Sequence, residues 1–161
     1  MLKNKFLLIF ISLFLIVALY SFLLNKQTIP TFKMTSINGE VFYSNHQENK
    51  ITIYNFWATD CPTCIKEMPG LVNFYNTNKA NINLYAIAMF YDPPSRVLTF
   101  STKNNLPFPV VIDYDKLIIN NFPNVTLTPT TIIVDKQGKI TNTIIGELNF
   151  SELSNQINNL L

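Results

Sequence analysis

Glycine is scarce in this chain, with 4 residues in 161, which argues against a glycine-rich phosphate loop and against low-complexity sequence. Metal-ligating residues are as few. Beyond 2 cysteines there is only 1 histidine, His46, whereas a zinc site built on the cysteines would need two further ligands. An excess of charge is also missing. The formal net charge of +2 is carried by Lys3 and Lys5, so residues 26–161 are formally neutral and advertise no nucleic acid or other polyanionic partner. No internal repeat is visible. The chain, at 48% apolar, is long enough to bury a core without cross-links, so its two cysteines are not needed as a staple.

One long uncharged run is present. Residues 6–24, FLLIFISLFLIVALYSFLL, at about 1.5 Å of helical rise each, nearly cross a hydrocarbon core of about 30 Å. A cleaved signal peptide expects small residues near its end, and Tyr20, Phe22 and Leu24 stand there instead. The expectation is therefore an uncleaved anchor over 1–25, with a transmembrane helix at 6–24, followed by one domain over 26–161. Lys3 and Lys5 keep the N-terminus cytoplasmic, and Lys26 weakens that bias without reversing it. The domain is expected outside the cytoplasm, on a single-pass protein of the inner membrane.

Short apolar runs alternate with helical patterns along the domain, as in an α/β fold. TFKMT (31–35) and EVFY (40–43) predict a hairpin around Asn38-Gly39. ITIYNFW (51–57) and INLYAIAM (82–89) predict buried central strands, and Cys64, Ile65, Met68, Leu71, Val72 and Tyr75 predict a crossover helix over 61–77. A helix over 94–105 and a short strand or extended segment at 109–112 follow. TTIIVD (130–135) and KITNTII (139–145) predict a second hairpin, and 151–161 a final amphipathic helix with Ser151 as N-cap.

Both cysteines lie in NFWATDCPTCIKEMP (55–69), where a strand turns into a helix whose first turn holds Cys61-Pro62-Thr63-Cys64. Pro62 suits the first helical position, where a missing N–H costs nothing. Cys61 then sits where unpaired amides and the helix dipole stabilise a thiolate. Cys64, one turn on, is within reach of a mixed disulfide formed at Cys61. A structural bridge closing so small a loop would constrain the unfolded chain little, so the spacing fits a dithiol that opens and closes reversibly.

Trp57-Ala58-Thr59, Cys61-x-x-Cys64, Glu67-Met68-Pro69, and Thr128-Pro129-Thr130-Thr131 followed by Asp135 and Gly138 resemble the membrane-anchored thioredoxin-like reductases of the TlpA, ResA and CcmG type. The similarity covers 30–161 and the preceding anchor, and LPFPVVID (106–113) resembles the segment after that family's inserted helix and strand. The resemblance implies an α/β thioredoxin-like fold, a central mixed β-sheet flanked by helices, with Cys61 attacking and Cys64 resolving. It implies a cis Thr128-Pro129 bond facing the dithiol and, with Trp57, forming the client-binding surface. It implies a functional Glu67 exchanging protons with Cys64, since the position of thioredoxin's strand aspartate holds Asn55, which cannot titrate; a solvated glutamate on the helix surface is the alternative reading. The redox group would be the Cys61–Cys64 disulfide, with no further cofactor and no metal. Partners would be disulfide-containing client proteins, apocytochrome c among them, and a membrane electron donor.

Asp60 departs from the family, which places an aromatic residue before the first cysteine. Its charge beside Cys61 disfavours the thiolate, which makes Asp60, with Pro62 and Thr63, a candidate for redox tuning; helix capping is its alternative role. Two other functions remain open. A tethered copper-binding or client-docking protein without turnover would use the two thiolates, with Met68 and His46 as further ligands. A peroxiredoxin-like antioxidant enzyme needs a Pro and a Thr at fixed distances before its cysteine, and Asn55 and Ala58 occupy those places.

Overall fold

The computed structural model describes residues 10–17, 28–44, 49–122 and 125–161. Of the expected membrane span only 10–17 fall among these; they are helical and exposed. No helix among the described residues is long and apolar enough to cross a membrane. The rest of the span, and His46, lie outside the described residues.

β1 (Lys33–Thr35) and β2 (Val41–Tyr43) form the first hairpin. In its turn the Gly39 N–H donates to the Ser36 carbonyl at 2.9 Å, and Gly39 adopts φ +84°, a conformation that costs glycine little. The main sheet runs in the order β5-β4-β3-β6-β7. β3 (Ile51–Trp57), β4 (Ile82–Ala88) and β5 (Val110–Ile112) are mutually parallel, while β6 (Thr130–Val134) and β7 (Ile140–Ile145) add antiparallel. β3 is buried at every position, which is why its sequence reads as an apolar run rather than an alternation.

The two faces of β3 serve two cores. Ile51, Ile53 and Trp57 face the core filled by Cys64, Met68, Leu71 and Phe74 of α1 (Pro62–Asn78), Val97 of α2 (Pro94–Lys103), and Leu153 and Ile157 of α3 (Phe150–Asn158). Tyr54, Phe56 and Ala58 face the other, with Met34, Tyr85, Ile118, Phe122 and Val125. The sheet is mixed, as expected, but all three of these helices bury side chains in one core. The opposite face is covered by the β1–β2 hairpin and the segment around a 3-10 turn at Ile119–Asn121.

Ser151 is not the cap of the last helix. Asn149 takes that place, its Oδ1 accepting the Ser151 N–H at 3.1 Å and the Glu152 N–H at 3.3 Å. The helix therefore begins at Phe150, one residue before the expected 151, and the Phe150 ring lies against the backbone of α1 at Gly70; a Cβ there would collide with it.

Candidate active site

Parallel strands deliver their C-terminal ends, and antiparallel β6 its start, to one edge of the sheet. Phe56 pairs with Thr130 at the end of the β3–β6 ladder, so Pro129 lies beside the end of β3, where the chain turns toward Cys61. The Thr128-Pro129 bond is cis. The Pro129 carbonyl accepts the Gly146 N–H at 2.8 Å, and Thr130 Oγ1 donates to the Leu127 carbonyl at 2.7 Å, which fixes the segment on both sides. Thr128 is half-buried and Pro129 buried.

Cys61 is the N-cap of α1 and is bonded to Cys64 as a disulfide with a Cα–Cα distance of 5.3 Å. The backbone N–H of Cys64 donates to Cys61 Sγ at 3.2 Å, so an amide of the first turn points at the outer sulfur. Cys64 is fully buried whereas Cys61 is only partly so. The helix begins here because Pro62 occupies its first position and Cys61 itself caps it. Asp60 therefore does not cap the helix. It is exposed, and its carboxylate accepts no hydrogen bond from the described residues. Pro62 is exposed and Thr63 half-buried beside the sulfurs.

Trp57 sits elsewhere than on a client surface. It is fully buried, with its ring 5.2 Å from that of Phe100, because the strand alternation turns it into the helix-side core. It belongs to the same core as Cys64, against which Cys61 packs.

Glu67 lies one turn along α1 from Cys64, buried with 3% of its surface exposed. Burial pushes its carboxyl above the ordinary range. The Leu148 N–H at 3.0 Å on Oε2 and Asn55 Nδ2 at 3.1 Å on Oε1 pull it back, and the nearby Glu147 charge adds to the rise. Asn55 also donates to Thr131 Oγ1 at 3.0 Å, linking β3, α1 and β6.

A residue with no assigned role in the sequence completes the loop. Asp92, buried between β4 and α2, accepts both the Thr59 N–H and its Oγ1–H at 2.6 Å, two residues before Cys61. Its only sequence cue is its place before Pro93-Pro94, where a helix is about to begin. Among the described residues no three His, Cys, Asp or Glu side chains come together as a metal site.

A dithiol with one accessible and one buried sulfur, at a helix N-terminus on a thioredoxin-like sheet, defines the class of thiol–disulfide oxidoreductases. A redoxin family model matches residues 24–157. The thiol-disulfide oxidoreductase ResA of Bacillus anthracis is 34% identical over 119 residues, covering 73% of this chain and 68% of that protein. ResA of Geobacillus kaustophilus is 28% identical over 134 residues, covering 83% and 76%. The crystal structure of StoA from Bacillus subtilis superposes with a TM-score of 0.69 at 26% identity, over 78% of this chain and 95% of that one. The chain belongs to the redoxin family, as a thiol–disulfide oxidoreductase of the TlpA/ResA/CcmG type.

Proposed function

We propose that this oxidoreductase is a membrane-tethered reductase of protein disulfides outside the cytoplasm. The observation that carries the mechanism is the asymmetry of the pair: Cys61 is reachable and Cys64 is not, and the buried Glu67 stands one turn beyond Cys64.

In the reduced protein the Cys61 thiolate attacks one sulfur of a client disulfide. A Cys61–client bond forms, and the other client sulfur leaves as a thiolate that takes up a proton. Cys64 then gives its proton to Glu67 and attacks Cys61 Sγ. The mixed disulfide breaks, and the second client sulfur leaves as a thiolate that takes up a proton from solvent. Glu67 returns its own proton to solvent, and two electrons have passed from the dithiol to the client. The disulfide form described above is the product of that cycle. The half-buried Thr128, turned by its cis bond to Pro129 beside the end of β3, presents backbone to an extended client.

Tethering is supported by the uncharged run at 6–24 and by Lys3 and Lys5 before it. A membrane electron donor returns the disulfide to the dithiol, and family resemblance makes apocytochrome c the first client to examine. Trapping in native membranes tests this reading. Cys64→Ser should accumulate Cys61-linked client adducts that dithiothreitol releases, in a protein that resists alkaline carbonate extraction. Equal trapping by Cys61→Ser would reverse the order of attack, and a soluble form beginning near Asn25 would remove the tether.

A further inference from the structure

Asn55 is fully buried at the centre of the sheet, paired in register with Ala86 of β4 and Thr131 of β6. Its side-chain nitrogen donates twice, to Glu67 Oε1 at 3.1 Å and to Thr131 Oγ1 at 3.0 Å. Its Oδ1 accepts from no group of the protein among the described residues. A side-chain amide is nearly symmetric in shape, so half a turn about Cβ–Cγ exchanges Oδ1 and Nδ2 without moving either neighbour. After that turn Oδ1 faces Glu67 and Thr131, and the two Nδ2 hydrogens face the side where Oδ1 had no protein partner among the described residues, so the turn is favoured only while Glu67 and Thr131 both donate. A protonated Glu67 and the Thr131 hydroxyl are both donors that it can accept.

We propose that Asn55 is a two-way positioning residue for Glu67, holding the carboxylate through Nδ2 and, with its amide turned over, the carboxylic acid through Oδ1. The proposal rests on the reading of Glu67 as the group that exchanges a proton with Cys64. It explains what an asparagine does here that an aspartate would not. An ionised aspartate only accepts, so it would leave the Glu67 carboxylate without this donor and set a second negative charge beside it. Thr131 suits the arrangement because a hydroxyl donates or accepts as its hydrogen rotates. The remaining Glu67 partner, the Leu148 N–H, stays on Oε2 throughout.

The surroundings leave few other groups to drive such a response. Glu147, from the loop after β7, is the charge that bears on Glu67, and it is itself paired with Lys66 at 2.8 Å. β3, β4 and β6 carry no charged side chain, Glu152 of α3 is exposed, and Cys64 does not titrate while it is bonded to Cys61.

The test is an NMR titration of the oxidised full chain in detergent micelles, with labelled Glu side-chain carboxyls and labelled Asn side-chain amides. The Asn55 amide resonances, identified by their loss in Asn55→Ser, should shift with pH at the midpoint of the Glu67 carboxyl. Their NOEs to the Thr131 side chain should be strong above that midpoint and weaken below it; NOEs unchanged through the titration would leave Asn55 a fixed donor and overturn the proposal. Glu67→Gln should abolish that shift, and Asn55→Ser should move the Glu67 midpoint upward. Asn55 resonances that stay fixed while Glu67 titrates would overturn the proposal, as would a Glu67 that never titrates while the fold survives. If Asn55→Ser fails to fold, the wild-type titration with Glu67→Gln still decides. Full insulin turnover by Glu67→Gln would instead remove the catalytic reading of Glu67, a result separate from whether Asn55 follows its proton.

Discussion

Replacing Asp92 by alanine removes the acceptor of both Thr59 hydrogen bonds, each 2.6 Å long, from a buried position. Hydrogen bonds to a charged group contribute about 1.5–3 kcal/mol each. Two that share one carboxylate are not independent, and the half-buried Thr59 recovers some water, so the expected loss is about 2–4 kcal/mol for the pair. For a domain of this size that lowers the melting temperature by about 7–14 °C. Thermal and urea unfolding of the oxidised full chain measure it, and Asp92→Asn, which keeps one acceptor, should fall between. The loss should also reach the site, because Thr59 stands two residues before Cys61. A useful control is Asp113→Ala, since that buried carboxylate accepts the Ile118 and Ile119 N–H groups at 2.9 Å in the loop after β5. It should destabilise comparably, yet leave the turnover of the folded fraction near wild type, whereas Asp92→Ala lowers it. A change below about 0.5 kcal/mol in Asp92→Ala, the range of an ordinary surface substitution, would refute the claim that this carboxylate anchors the dithiol loop.

The raised Glu67 carboxyl makes stability depend on pH in a definite direction. The folded chain holds this proton more tightly than the unfolded one, so the contribution is complete below the ordinary glutamate value of about 4.3 and is lost as pH rises through the raised value. Glu67→Gln should therefore gain stability on the wild type with rising pH in urea melts, and a difference that does not vary with pH would contradict the assignment. Asp60→Asn takes a negative charge from beside Cys61 without removing a cap, so the reduced thiolate is favoured and the reduction potential becomes less negative. Glutathione redox titration reads it, and an unchanged potential would leave Asp60 without a redox role.

The parts of the fold legible in the sequence were those whose cause is local. β3 and β4 announced themselves as β-branched and aromatic runs, and α1 by its apolar spacing and by Pro62 at the helix start. Gly39 marked the first turn because its positive φ favours that residue. The last helix cap was misplaced because Ser151 and Asn149 are both good caps by type, and the choice between them is made by the packing of Phe150 on Gly70. Trp57 looked like a contact residue by position in the motif, yet its face is set by counting along β3, which turns it inward. Asp92 was silent because its partner, Thr59, lies 33 residues away and meets it only once β3 and β4 are side by side. Asn55 was legible as a residue that cannot titrate. Its bonds to Glu67 and Thr131 need α1 and β6 folded against β3 before they exist.

Insulin reduction with a dithiol donor decides most directly whether Cys61 and Cys64 together pass electrons to protein disulfides in a catalytic cycle. The full chain should reduce many equivalents of insulin, and Cys61→Ser and Cys64→Ser should each lose that turnover. Consumption of a single equivalent, with stoichiometric Cu(I) binding and no turnover, would make the protein a carrier instead, and sustained turnover by Cys61→Ser would contradict the role given to the outer sulfur.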